Sequence, residues 1–362
     1  MRIGFIIYGS LDTLTGGYLY DLFVVKGLRE LGHEVDVISL PSGSYLKRLA
    51  MGLTPGRCRQ LLAGKFDILI QDELCHPSLF IINRQLRRHN GPLLLGLVHH
   101  ILSREPRSRW LNMLLAMVER RFLASVDGFI HNSLTTQQTV ASLVDHQQPQ
   151  IIANPAGDRF GSPLSSEIIS KRAHRPGPLE LLFLGNVIPR KGLLPLLEAL
   201  AGIHRDFWRL SIVGDLDFDH AYTTRARQFV QRHDLSDSVR FMGPLEDENL
   251  IEILGYSHIF CMPYAYEGFG IAILESMAFG LPAIGCLSGA ASETINHGKN
   301  GYLLAADDLK GLEALLLQLY QNREELQQLA LGASATYRSR PGWQDGIAII
   351  DTFLKQIVNQ KK

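Results

Sequence analysis

The sequence predicts an α/β protein built from two tandem, doubly wound parallel sheets. Three observations carry that expectation. Short apolar, β-branched runs alternate with longer amphipathic stretches in both halves of the chain, as strands of a parallel sheet alternate with the helices that cover its two faces. The alternation lapses once, in the polar, proline-containing segment SPLSSEIISKRAHRPGPLE that follows PQIIANPAG (149–157), and then restarts. The 362 residues suffice for two domains of about 150–180 residues each.

RIGFIIY (2–8) reads as a buried first strand. It stops at once in a Gly/Ser turn, whereas a secretory leader needs a longer apolar core and a small-residue cleavage site. A loop containing Gly16 and Gly17 then leads into a helix ending near Leu31, and HEVDVISL (33–40), FDILIQ (66–71), PLLLGLVH (92–99) and GFIHNS (128–133) continue the strands. After the lapse come LELLFLGN (179–186), RLSIVGD (209–215), VRFMG (239–243), HIFCMP (258–263) and PAIGC (282–286). The expected domains are therefore 1–173 and 174–342. A last helix, about 343–362, has no strand after it and is expected to pack back on the first domain. Sheets of this kind bind ligands beyond the carboxyl ends of their strands, so a cleft between two such edges is the expected site.

Composition narrows the function classes. Hydrophobic residues make up 46% and charged residues 20%, a globular balance. PLLLGLV (92–98) falls far short of the roughly 18–20 apolar residues of a membrane span. Cys58, Cys75, Cys261 and Cys286 form no CxxC pair and read as reduced thiols of a cytoplasmic protein. Residues 1–175 hold 20 Lys and Arg against 14 Asp and Glu, and residues 176–362 hold 16 against 22. Such asymmetry suggests different partners for the two domains, the first facing something anionic. Lys47, Arg48, Arg57, Arg59 and Lys65 share a segment with no acid between Pro41 and Lys65. An anionic membrane surface, which would make the protein peripheral at the inner face of the cell membrane, and a simple solvated face explain it equally. No nucleic-acid motif accompanies the basic residues.

The chemistry begins at EGFGIAILE (267–275), where Glu267 precedes a helix that starts near Gly270 and Glu275 lies in its second turn. Amides at a helix start attract phosphate, and Gly268-Phe269-Gly270 lets backbone approach a ligand where a Cβ would obstruct it. Carboxylates accept hydrogen bonds from sugar hydroxyls. Together these describe a nucleotide-sugar site, a ribose diol suiting Glu275 and a transferred hexose Glu267. Taken alone, such a pair is more often a solvated helix face. A second element changes the balance. FLGNVIPRKG places Arg190 and Lys191 in the turn between a strand and a helix, where a planar fork and a point charge can grip a diphosphate.

FLGNVIPRKG, then EGFGIAILE, then GLPAIGCLSGAASETINHGKNGYLL resembles the retaining family-four glycosyltransferases (glycosyl transferases group 1) of GT-B fold, most specifically over 179–304. The resemblance implies two Rossmann-like domains, an N-terminal one for the acceptor and a C-terminal one for a nucleotide-diphosphate sugar, UDP- or GDP-linked. It also implies a hexosyltransferase that retains anomeric configuration, with no cofactor and no required metal. Glu267 and Glu275 match the family's glutamates near the donor sugar and on the ribose, and Lys191 matches a diphosphate-holding cation. The other such cation usually follows the glycine that ends the strand. Asn186 stands there instead, and Arg190 is expected to substitute. Glu293, in GAASETI, falls where the family has an acid in a sugar-facing loop. In the first domain, Gly16 and Gly17 resemble the family's glycine loop near the donor phosphates, although an ordinary turn fits their spacing as well. In LVHH the alignment favours His99 as the site histidine, with His100 where an acid is common. Asn132-Ser133 and NPAGDRF (154–160) also resemble family segments and receive no chemistry.

Rival readings have less support. A retaining glycosidase using Glu267 and Glu275 leaves the basic turn without a purpose, and a dinucleotide-dependent dehydrogenase lacks GxGxxG after the first strand. A non-catalytic sugar-nucleotide-binding or scaffold protein is the alternative that Asn186 invites. The acceptor expected from the basic first domain is a glycolipid or an envelope or exopolysaccharide precursor.

Overall fold

The computed structural model describes residues 1–361 except positions 14, 55, 146 and 264–266. The chain divides into two compact units: residues Met1–Pro155 with Trp343–Lys362, and Ala156–Gly342.

The first unit runs β1 (Arg2–Tyr8), α1 (Gly16–Glu30), β2 (Glu34–Leu40), α2 (Tyr45–Met51), α3 (Arg57–Ala63), β3 (Ile68–Asp72), α4 (His76–Arg88), β4 (Leu93–Val98), α5 (Arg109–Leu123), β5 (Gly128–His131), α6 (Leu134–Leu143) and β6 (Gln150–Ile152). Its strands pair in parallel in the order β2-β1-β3-β4-β5-β6. β1, β3 and β4 are buried along almost their whole length, which is why they read as continuous apolar runs and not as alternations.

The second unit runs α7 (Ser166–Ala173), β7 (Leu179–Leu184), α8 (Leu193–Ala201), β8 (Trp208–Val213), α9 (His220–Arg232), β9 (Val239–Gly243), α10 (Asp247–Tyr256), β10 (Ile259–Cys261), α11 (Ile271–Ala278), β11 (Ala283–Cys286), β12 (Gly301–Leu304), α12 (Leu309–Gln321) and α13 (Arg323–Arg338). This sheet is also parallel, in the order β12-β11-β10-β7-β8-β9.

α14 (Trp343–Lys361) closes the chain inside the first unit, against α1 and β6. Trp343 stacks on Phe23 at 4.3 Å, and His33 Nε2 meets Asp351 Oδ1 at 2.7 Å. A Cβ at Gly27 would stand 2.2 Å from Ile347 Cδ1, so the missing side chain on α1 is what admits α14.

The boundary differs from the expected 173/174. Residues 156–173 belong to the second unit because the segment read as a linker is an amphipathic helix with Ile169, Arg172 and Ala173 buried. Arg172 donates to the carbonyls of Phe279 and Gly280, each at 2.8 Å, and α7 packs on α13. The short strands β6 and β12 are likewise absent from the sequence-based series.

Candidate functional site

In the second unit, β7 ends at Leu184 and the backbone turns through Gly185, Asn186 and a 3-10 turn, Pro189–Lys191, into α8. Gly192, with φ of 75°, takes the left-handed conformation that caps the turn. The turn delivers both cations to one carboxylate oxygen. Lys191 Nζ lies 2.5 Å and Arg190 Nη1 3.4 Å from Glu267 Oε2. Burial pushes the Lys191 ammonium below its ordinary pKa, against the opposing pull of the Glu267 charge. Asn186 is half-buried at the strand end.

Glu267 itself is held by backbone. Its carbonyl accepts from the Ala290 amide at 3.0 Å, and a Cβ on Gly289 would stand 2.6 Å from that carbonyl oxygen, at a φ of 76°. The 3-10 turn Gly289–Glu293 therefore latches onto the Glu267 loop, and Arg340 donates to the Glu293 carbonyl at the turn's end. Gly289→Ala is expected to strain the left-handed turn and push Glu267 away, lowering stability by about 1–3 kcal/mol. Thermal denaturation of the variant checks this, and an unchanged melting temperature would refute it.

Gly268, Phe269 and Gly270 are buried, and Gly270, with φ of 90°, sits at the N-cap of α11. Positions 264–266 of the preceding loop lie outside the described residues. Glu275 is 4% exposed. Burial pushes its carboxyl pKa above the ordinary value, and Arg159 opposes the rise. Arg159 Nε donates to Glu275 Oε1, and its Nη1 reaches Asp247 Oδ1 at 3.0 Å. The sequence alone gives Arg159 no role, although NPAGDRF resembles a family segment. That segment ends in the short turn that carries the guanidinium.

In the first unit, Gly16 and Gly17 open α1, with the Thr15 hydroxyl accepting from the Tyr18 amide. A Cβ on Gly17 would touch the His99 ring at 3.7 Å, so the glycine turn and His99 adjoin. His99 is 6% exposed, donates from Nε2 to Asp21 Oδ1 at 2.7 Å, and leaves a buried Nδ1 without a partner among the described residues. Burial lowers the His99 pKa, and Asp21, Asp72 and Glu73 together more than offset this, so the net shift is upward. Burial and the Asp21 charge push nearby Asp72 up to about 7. His100 pairs instead with Glu105 at 2.6 Å. Asp21 went unnoticed in the sequence because an acid in an amphipathic helix ordinarily faces water.

Two parallel six-stranded sheets in these orders, each wrapped by helices, are the GT-B fold of two Rossmann-like domains. Residues 165–334 match the family model described as glycosyl transferases group 1. Over 373 aligned residues the chain is 26% identical to the phosphatidyl-myo-inositol mannosyltransferase of Mycobacterium leprae, covering 95% of this chain and 93% of that one. Some other curated relatives align over only 41% or 60% of their own length. Among solved structures, the sucrose-phosphate synthase of Thermosynechococcus elongatus superposes with a TM-score of 0.84 at 18% identity, covering 99% of both chains. Anabaena Alr3699/HepE in complex with UDP-glucose gives 0.79 at 20% identity, covering 98% of this chain and 100% of that one.

Proposed function

We propose that the protein is a retaining glycosyltransferase that moves a hexose from a nucleotide-diphosphate sugar to a hydroxyl acceptor, a glycolipid or an envelope or exopolysaccharide precursor. The observation that carries this reading is the meeting of Lys191, Arg190 and Glu267 in the unit where α11 begins at Gly270 and buries Glu275 one turn later. A diphosphate suits the two cations and the helix amides, and a ribose diol suits Glu275. The UDP-glucose complex of a protein with the same fold supports the donor class.

Breaking the bond between sugar C1 and the diphosphate oxygen leaves negative charge on the diphosphate. Fixed cations and backbone amides that meet this charge lower the barrier, commonly by the largest single term. Lys191, Arg190 and the α11 amides take that role, Asn186 and Gly268–Gly270 shape the donor's bed, and Glu267 and Glu293 hold sugar hydroxyls. In the first unit His99, oriented by Asp21 beside the Gly16-Gly17 turn, is a polar group suited to a sugar hydroxyl. The leaving phosphate takes the acceptor hydroxyl's proton, and the new C1–O bond forms on the face the leaving group vacates. No metal enters these steps. A thermal-shift screen against UDP, GDP, ADP and their common sugars tests the reading, because a ligand of the folded form raises the melting temperature. Silence across the panel with well-folded protein would overturn it.

Membrane contact is the second part of the reading. No helix among the described residues is long and apolar enough to cross a membrane. α5, however, exposes Trp110 (76%), Met113, Leu114 and Met117 along one face, with exposed Arg107, Arg109, Arg120 and Arg121 at its ends. Apolar side chains flanked by arginines are the pattern of a helix lying in an anionic lipid interface. Lys47, Arg59 and Lys65 are exposed on the same unit, while Arg48 lies over the Tyr8 ring at 4.2 Å. The signal legible in the sequence was RWLNMLLAM, whose apolar residues exceed what one buried face requires. Of the three tryptophans, Trp208 and Trp343 are buried. Vesicles containing phosphatidylglycerol should therefore shift tryptophan emission to the blue, and Trp110→Phe should abolish the shift. Emission that ignores such vesicles would sink the proposal.

A further inference from the structure

Three side chains outside the groups used above meet in the interior of the first unit. Glu73 follows β3, His76 opens α4, and Glu119 comes from α5. Their exposures are 0%, 1% and 0%, and one ligand-capable atom of each lies within 4.8 Å of the other two. The contacts among them are acceptor-rich. Glu73 Oε1 is 3.1 Å from His76 Nδ1, yet neither Glu73 oxygen nor Glu119 Oε2 has a hydrogen-bond partner among the described residues. Glu119 Oε1 accepts from the Ser103 amide at 3.1 Å, which anchors that carboxylate without satisfying its second oxygen. Buried carboxylate oxygens without donors are costly, and two such carboxylates meeting beside an imidazole ask for a positive charge.

The histidine is prepared for the task. Its Nε2 reaches Tyr45 Oη at 3.1 Å, so an Nε2–H that donates there leaves the Nδ1 lone pair facing Glu73. A hydrogen bond from the far ring nitrogen orients a metal-bound imidazole and fixes its tautomer. In the absence of an ion Nδ1–H donates to the Glu73 carbonyl at 2.9 Å, so a bound cation would displace that proton and leave Nε2–H to Tyr45. One imidazole with two carboxylates is a donor set of zinc chemistry, whereas oxygen-only cages suit calcium or magnesium.

We propose that Glu73, His76 and Glu119 bind a divalent transition cation of the zinc class in a structural site. The ion ties the end of β3, the start of α4 and the interior face of α5, with Tyr45 of α2 drawn in through the histidine. It fixes the chain one residue beyond Asp72, and sugar transfer uses no part of it.

The test uses the full chain, dialysed against micromolar zinc chloride and then against zinc-free buffer. Elemental analysis is expected to find stoichiometric zinc. Chelation should lower the melting temperature, and added zinc should restore it. Glu119→Gln and Glu73→Gln keep side-chain volume and are expected to lose both the bound zinc and the thermal response. Tyr45→Phe keeps all three ligands and is expected to weaken zinc binding about tenfold, which keeps the proposal testable where a glutamine variant fails to fold. A chelated wild-type chain that takes up no zinc would overturn it and leave protons as the balancing charge. So would a Glu119→Gln variant that binds zinc as well as the wild type.

Discussion

Replacing Lys191 with alanine is expected to lower the turnover of sugar transfer by about 10²–10³-fold at saturating donor. The side chain lies at the end of a 3-10 turn whose left-handed Gly192 leaves the ammonium little freedom to be elsewhere. It is half-buried, so its charge acts through a medium less polar than water and is worth correspondingly more to a developing diphosphate. Arg190, 3.4 Å from the same Glu267 oxygen, does not replace it, because a planar fork on a three-carbon stem places its charge differently from a point charge on a four-carbon stem. Lys191→Arg should therefore restore only part of the rate. A loss smaller than about tenfold, ~1.4 kcal/mol, would remove Lys191 from the leaving-group role. Circular dichroism should remain that of the wild type, since the substitution keeps the turn's backbone and its Gly192 cap.

Glu275→Ala is expected to raise the dissociation constant for the nucleoside diphosphate about 10–150-fold, from ~1.5–3 kcal/mol for hydrogen bonds to a charged group. The variant also frees Arg159, whose remaining partner Asp247 is 3.0 Å away. Arg159→Ala therefore belongs in the same experiment. If Glu275 acts on the ribose, Glu275→Ala weakens binding more than Arg159→Ala does. If it serves only to hold Arg159, the two lose affinity equally and the ribose assignment fails. Because burial raises the Glu275 pKa, wild-type donor affinity should begin to fall with acidification at a pH above the ordinary glutamate range. Glu275→Gln should lack that part of the profile.

The long strands and the motif turns were legible in the sequence because the cause of each is local. RIGFIIY and LELLFLGN are largely buried and so mostly apolar, and the glycines at 192 and 270 sit where the backbone needs positive φ. What escaped depends on distant partners. β6 and β12 are three- and four-residue edge strands, too short for periodicity and formed because a neighbouring strand offers a ladder. α7 looked like a linker since half of its surface is polar, and only α13 reveals that the other half is covered. Arg159, Asp21 and the Glu73–His76–Glu119 cluster follow the same rule. A charged residue in the sequence implies solvent, and only the fold shows which charges have been brought indoors.

The placement of α14 bears on the order in which the protein is made. Residues Met1–Pro155 are translated before the second unit, but the helix that completes their unit is translated after it. At about 5–20 residues per second, the early portion waits through synthesis of the entire second unit with the α1 surface around Phe23 and Gly27 still uncovered. The unit synthesised second can thus finish folding before the one synthesised first. A nascent chain stalled anywhere before Trp343 keeps an apolar face open to chaperones, and translation through α14 closes it.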